Sequence, residues 1–197
     1  MVAIKQATAA KKGRRFALLM AARDSEYVLK KYGGYRNVFL AAFGDAGADE
    51  KWDLYRAIDG ELPGKGDLEK YDGFVISGSP NDAFLQEIRD QLPPRAKITE
   101  IHQDEVWEVP AGAEVLASSA KTGVEMFRVG EHLLGIQGHP EYTNDILVSL
   151  VDRLLGAGTI SASFAEAVKK QLDASGPDRE FWLKLCKSFL KADERSI

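Results

Sequence analysis

The sequence predicts an α/β fold, in which helices flank a sheet of short buried strands. Three observations support this prediction. Short apolar runs of strand length alternate with a helical segment in the first part of the chain. Several strand-like pieces separated by turns follow in the middle, a pattern typical of antiparallel hairpins. Amphipathic stretches of helical periodicity come last.

The composition is that of a soluble globular protein. The chain has 197 residues, 45% of them hydrophobic, and 26 Lys and Arg against 30 Asp and Glu give a net charge of −4. This balance excludes a strongly basic nucleic-acid binder. The longest apolar runs, such as 16–22 and 38–43, fall short of the roughly 20 residues of a membrane-spanning helix. We therefore expect one domain with neither a nucleic-acid nor a membrane partner.

The first elements are a tail, a strand and a helix. Residues 1–15 hold five Lys or Arg and no acid, so residues 1–14 are predicted to form a basic, disordered tail, an interpretation preferred over a transit peptide. The domain is predicted to span 15–193. It opens with a buried strand over 16–22, and a helix follows from Tyr27 to residue 43, with Gly33 and Gly34 interrupting it.

Two further strands are predicted over 52–58 and 71–77. The second runs into the turn Gly78-Ser79-Pro80, and open α/β sheets bind ligands in loops at the carboxyl ends of their strands. Backbone N–H groups at Gly78 can stabilise an oxyanion there. An ordinary tight turn is the simpler interpretation of these residues.

The remainder of the chain is predicted to consist of hairpins followed by helices. The strand-like pieces lie at 98–101, 105–109, 115–118, 124–128 and 133–137. Helices are predicted over 145–155 and 164–172. A closing helix presents one apolar face over 181–190, and this face includes the single cysteine, Cys186. A small buried hydrophobe is the preferred interpretation of that cysteine, because a nucleophile would need exposure and a base.

The chemistry is predicted at His139-Pro140-Glu141, just past the last predicted strand. A carboxylate two residues from an imidazole orients the ring and makes it a general base. On its own, such a pair is more often structural. His102, Gln103 and Asp104 form a second polar cluster, for which a loop with a capping acid is the alternative. His132 is interpreted as a turn residue, and the three histidines lack the spacing of a zinc site.

Taken together, several segments resemble the class I glutamine amidotransferase-like family, and within it the plant γ-glutamyl peptidases. This group comprises cytosolic enzymes that cleave the γ-glutamyl residue from glutathione conjugates. The likeness runs from about residue 15 to about residue 190. It implies a flavodoxin-like sheet flanked by helices. The segments that carry it are 15–24, 32–35, 71–80, 102–107, 123–127 and 137–142.

The resemblance also implies site residues. The family hydrolyses γ-glutamyl amides through a thioester on a Cys-His-Glu triad, so His139 matches the general base and Glu141 its orienter. Gly78 and Ser79 match the oxyanion-side turn. The stretch 102–104 (His102, Gln103 and Asp104) supplies candidate substrate-binding residues. A γ-glutamyl small molecule or glutathione conjugate is the implied partner. No cofactor or metal is implied, and the expected location is the cytosol.

The nucleophile of the family has no counterpart in this sequence. The family's Gly-x-Cys-x-Gly elbow is absent. The segments that resemble the family before and after it are joined directly near residues 84–85. We therefore expect the central nucleophile strand and elbow to be missing, as in an alternative or mis-predicted transcript that yields a truncated isoform. Ser77 and Ser79 are poor substitutes, because nothing in the sequence places either hydroxyl in a strained elbow facing His139.

Three hypotheses follow from this pattern. In the first, the protein is a γ-glutamyl hydrolase whose active form contains the missing segment or borrows it from a full-length relative. In the second, it is a catalytically inactive module that binds a γ-glutamyl ligand or associates with a full-length relative. In the third, it is a truncated product that folds poorly and has no function of its own. The second and third are favoured for this chain as it stands.

Overall fold

A mixed β-sheet lies at the centre of the protein in a computed structural model, which describes residues 1–5, 13–46, 48–78, 96–101 and 105–191. Seven strands are formed by these residues: β1 Val2–Lys5, β2 Arg14–Leu19, β3 Glu50–Tyr55, β4 Gly73–Ile76, β5 Ala113–Ala117, β6 Met126–Val129 and β7 Leu133–Ile136. Their order in the sheet is β3-β2-β4-β1-β7-β6-β5. The α/β prediction is confirmed.

In the part of the chain that the structure describes, five α-helices accompany the sheet: α1 Glu26–Tyr32, α2 Tyr35–Phe43, α3 Asn144–Gly156, α4 Ala162–Ala174 and α5 Arg179–Lys191. The predicted interruption after α1 is present, because Gly33 adopts φ 72°, a left-handed conformation that caps the helix. Ser25 begins the same helix by accepting a hydrogen bond from the N–H of Val28. Short 3₁₀ turns at Ala57–Asp59 and Lys65–Lys70 connect β3 to β4.

The sheet has a parallel half and an antiparallel half. β2 pairs in parallel with both β3 and β4, whereas β5, β6 and β7 form successive antiparallel pairs. The predicted hairpins over this second half are therefore confirmed for three of the five pieces. Residues 98–101 and 105–109 are not strands, because they make no ladder. Each makes a single hydrogen bond just past β7, from the N–H of His139 to the carbonyl of Thr99 and from the N–H of Val106 to the side chain of Gln137.

One face of the sheet holds the main hydrophobic core. Alternate residues of β2 point to opposite faces, so Phe16 and Leu18 join this core, while Ala17 packs with Tyr71 and Phe74 on the other side. Residues of α1, α2, α3 and α5 pack into the same main core, and α4 packs against α3. The helices that flank the site are thereby fixed to the sheet.

The prediction of a disordered tail over 1–14 is wrong for its first residues. Val2–Lys5 form β1, which lies in the middle of the sheet between β4 and β7. The basic residues that suggested a solvated tail are concentrated further on, and the run from Met1 to Ile4 is apolar enough to pair on both edges and to bury Ala3. Residues 6–12 and the predicted omission at 84–85 lie outside the described residues.

Candidate functional site

His139 lies in the turn that follows β7, beside a buried carboxylate. Its Nδ1 is 2.9 Å from Oε1 of Glu141. The Glu141 side chain is 1% exposed, whereas that of His139 keeps 13% of its surface in solvent. A carboxylate at Nδ1 favours the ring form that carries its hydrogen there, which leaves Nε2 to accept a proton. The structure thus brings together the predicted base and orienter.

The carboxylate of Glu141 is held ionised by its partner. Burial acts to raise the pKa of Glu141, but the charge of His139 and its hydrogen bond outweigh burial, and the pKa lies below its usual value. The second oxygen, Oε2, is buried and accepts no hydrogen bond from a described residue. Only one of the two carboxylate oxygens of Glu141 thus has a hydrogen-bond partner among the described residues, and a buried acceptor without a donor costs free energy.

Packing fixes the plane of the His139 ring. The ring of Tyr142 stacks on it with centroids 4.3 Å apart and an angle of 3° between the planes, and Tyr35 of α2 lies 5.9 Å behind Tyr142. At the ring edge, a Cβ added to Gly78 would lie 3.0 Å from Cε1 of His139. The glycine of the predicted turn therefore makes room for the imidazole. Burial also raises the pKa of the Tyr142 phenol.

The segment 96–101 holds the backbone of the site. The N–H of His139 donates to the carbonyl of Thr99 at 2.9 Å. A Cβ on Gly138 would lie 2.5 Å from Cγ1 of Ile98, so only glycine allows this close crossing. The residues that the sequence suggested as a strand therefore support the histidine turn instead.

Arg179, at the start of α5, holds the same turn through side-chain hydrogen bonds to its backbone. Its Nε donates to the carbonyl of Tyr142 at 3.1 Å, and its Nη2 donates to the carbonyl of Glu141 at 3.3 Å. Sequence reasoning missed Arg179, because the contact joins residues far apart along the chain. Tyr142 was seen only as a neighbour of the histidine motif, and nothing in its position indicated a stack.

The side chain of Gln137 connects the residues around Val106 and Val124 to the end of β7. Its Oε1 accepts from the N–H of Val106 at 2.8 Å, and its Nε2 donates to the carbonyl of Val124 at 2.7 Å. Both ends of the amide are thus used in positioning the residues that flank the site. His102, Gln103 and Asp104 lie outside the described residues, and their role as binding residues stays a prediction. His132 is exposed in the turn between β6 and β7, as predicted.

The carboxyl end of β4 meets the histidine turn. Ser77 is buried, and its hydroxyl accepts a hydrogen bond from the N–H of Ala21 at 2.8 Å. This bond joins the ends of β4 and β2. Gly78 follows directly against the imidazole, while Ser79 lies outside the described residues.

The only cysteine of the sequence is far from suited to nucleophilic attack. Cys186 is 1% exposed within the main core, and burial raises the pKa of its thiol to about 12. Its prediction as a small buried hydrophobe on the closing helix is confirmed. The described site therefore contains a base and an orienter without a thiol to activate.

A cavity of about 980 Å³ opens beside His139 and is lined by residues of the sheet, of α3 and of α4. Its walls are apolar at Ile76 and Leu147, and Glu100 contributes a carboxyl group. Burial, followed by a hydrogen bond and repulsion from Glu125, raises the pKa of Glu100 to about 8. The raised pKa favours the protonated form of the Glu100 carboxyl at neutral pH.

Among the residues that the structure describes, no three His, Cys, Asp or Glu side chains gather in a way that would hold a metal ion. Within the same residues, none of the helices combines the length and apolar character needed to cross a bilayer.

Comparison with known proteins finds several similar plant proteins. The chain is 39% identical to γ-glutamyl peptidase 3 of Arabidopsis thaliana over 243 residues, covering 90% of this chain and 97% of the relative. It is 38% identical to γ-glutamyl peptidase 5 of the same plant over 248 residues, covering 93% of this chain and 98% of the relative. No family model matches the chain. No solved structure matches it either.

The first of these alignments is longer than the chain itself. It runs over 243 residues, whereas the chain has 197. At least 46 aligned positions, the difference between these two lengths, therefore carry no residue of this chain.

Proposed function

The chain belongs to the γ-glutamyl peptidases, a class I glutamine amidotransferase-like family, and on this premise we propose that it binds γ-glutamyl compounds beside His139 without hydrolysing them. The observation that carries the proposal is the intact pair of His139 and Glu141 in a chain whose single cysteine is buried elsewhere. The proposal is therefore that the chain keeps the ability to bind the γ-glutamyl group but lacks a thiol to attack it.

The retained pair is suited to a thiol-dependent amide hydrolysis. In such a reaction Nε2 of the base takes the thiol proton, the thiolate attacks the γ-carbonyl, and the base returns the proton to the leaving amine. Water then hydrolyses the thioester, with the base again taking a proton from the attacking group and returning it to the leaving thiolate. His139 has the hydrogen-bonded Nδ1 and exposed edge that this role requires, but no described group is placed to attack the carbonyl.

The cavity supports the binding part of the proposal. It reaches His139, Gly78 and Gln137 at one end and the apolar residues of α3 and α4 at the other. Backbone N–H groups at the Gly78 turn suit the carbonyl or carboxylate oxygens of a γ-glutamyl group. Ser79, His102, Gln103 and Asp104 are proposed to complete these contacts.

Thermal unfolding with matched ligands tests this proposal. We expect glutathione and an S-alkyl glutathione to stabilise the protein, and the isomeric peptide with an α-glutamyl bond to have no effect. Ligand at about 100 times its Kd adds roughly 2.7 kcal/mol, which raises the Tm of a chain of this size by about 5–11 °C. Mass spectrometry is expected to find no cleaved peptide. Equal Tm values with both isomers would contradict the proposal.

A second function is favoured by the length of the alignments. γ-Glutamyl peptidase 3 carries at least 46 aligned positions that this chain lacks, which is enough for a strand and a connecting helix. We propose that the chain hydrolyses γ-glutamyl bonds when a full-length relative supplies that segment. Hydrolysis by the mixture above that of the relative alone, with this excess lost in His139→Ala of this chain, would support this function. Unchanged hydrolysis in the variant mixture would refute it.

A further inference from the structure

β1 runs in the opposite direction to both of its neighbours in the sheet. It pairs antiparallel with β4 on one edge and with β7 on the other. β4 and β7 consequently run in the same direction, and β2 and β3 run with them. A strand placed between β4 and β7 in the opposite sense to β1 would make this half of the sheet fully parallel. We call the position between β4 and β7, which β1 occupies here, the strand slot.

A parallel strand needs a connection that this chain does not supply. Joining parallel neighbours takes a crossover of a dozen or more residues, usually with a helix. An antiparallel strand such as β1 reaches the slot without that crossover. γ-Glutamyl peptidase 3 of Arabidopsis thaliana has at least 46 additional aligned positions, a length sufficient for a strand and its helix. A longer relative therefore has enough additional chain to supply a parallel strand for the slot.

The functional site is also incomplete while β1 fills the slot. Met1 is buried at the end of the slot and lines the cavity beside His139. Glu141 nevertheless keeps one buried carboxylate oxygen that accepts no hydrogen bond from a described residue. A natural occupant is expected to satisfy or exclude such a group. β1 does neither.

We propose that the strand slot accepts a parallel β-strand from a longer member of the same family, and that β1 is its exchangeable occupant. The chemistry of the slot defines the partner: an extended segment that bonds through its backbone to both β4 and β7. Its middle side chain is small, since Ala3 occupies that place and is 2% exposed against the helix-covered face. Only the identity of the partner rests on the proposed function.

The test uses the full chain and a synthetic peptide. The peptide comprises the residues of Arabidopsis thaliana γ-glutamyl peptidase 3 that have no counterpart here. Ala3→Asp places a carboxylate in the core and weakens the docking of β1. Ala167→Asp, on the exposed side of α4, adds the same charge elsewhere. We expect the peptide to bind Ala3→Asp at least tenfold more tightly than it binds the unchanged chain or Ala167→Asp.

Hydrogen exchange on the unchanged chain provides a second measurement that does not depend on the folding of Ala3→Asp. Saturating peptide is expected to speed exchange at the amides of Val2–Lys5 at least tenfold while β4 and β7 stay protected. Absent binding, equal affinities for the two folded variants, or a β1 that stays protected at saturation would overturn the proposal. A dimer that exchanges β1 between two copies would assign the slot to a second copy instead. No γ-glutamyl ligand is present, so failure here is distinguishable from failure of the proposed function.

Discussion

The thiol of Cys186 offers the most direct test of how this site differs from a thiol hydrolase. A catalytic cysteine reacts rapidly with alkylating reagents because it is exposed and partly ionised. Cys186 is 1% exposed, and burial raises the pKa of its thiol from 9.0 to about 12. Since each pKa unit is a factor of ten in ionised fraction, the thiolate population falls about 1000-fold.

The assay follows alkylation by iodoacetamide at pH 8 with intact mass measurement. The sequence holds one cysteine, so each added mass reports Cys186 alone. We expect the native protein to react at least about 1000 times more slowly than the same chain in concentrated guanidinium chloride. Cys186→Ala, which has no thiol, measures any reaction at other side chains, and this background is subtracted. Native labelling within a factor of ten of the unfolded rate would refute the reasoning and make Cys186 a candidate nucleophile.

Three other perturbations test the scaffold of the site. Gly138→Ala is expected to cost about 1–3 kcal/mol through overpacking, measured by urea denaturation, while Gly66→Ala, which meets no atom within 4 Å, is expected to cost far less. Gln137→Leu leaves two backbone groups without partners and is expected to cost about 2–4 kcal/mol in the same assay. Burial acts against the low pKa of Asp145, but hydrogen bonds from two tyrosines and a lysine prevail and hold the pKa below its usual 3.8. The stabilisation that ionised Asp145 gives the folded protein is therefore present above pH 3.8 and lost as the pH falls further. We expect Asp145→Asn to flatten the acid limb of the plot of unfolding free energy against pH, and Asp173→Asn, which changes an exposed acid, to leave it unchanged. An acid limb that is unchanged in Asp145→Asn would contradict the role given to Asp145.

Local patterns predicted most of the sheet, because a buried strand needs a short apolar run and a turn on either side. β2, β4 and β7 were recognisable in this way. The segments 98–101 and 105–109 have similar apolar residues, but strand formation depends on a free neighbouring edge, which a sequence does not display. The strand β1 was missed for a different reason. The basic residues that follow it dominated the interpretation of residues 1–14, although the first four positions of the chain are apolar.

The candidate site was predictable only where its residues are neighbours in the chain. His139 and Glu141 are two positions apart, and their contact follows from one turn. The supporting contacts of Thr99 and Arg179 involve backbone carbonyls and amides, which carry no sequence signal. The same limit applies to the strand slot. It depends on the relative directions of β4 and β7, and these emerge only once the sheet is assembled.

The position of β1 has a consequence for how the chain folds. The nitrogen of Met1 donates to the carbonyl of Ile136 at 2.7 Å, across 135 positions of sequence. β1 precedes both of its partner strands in the sequence, so it must wait for β7 before it can pair on both edges. Such non-local pairing is slow, and until it occurs β4 presents an unpaired apolar edge to other nascent chains. We expect the yield of native protein to fall steeply with synthesis rate and to recover when a chaperone holds the early strands apart.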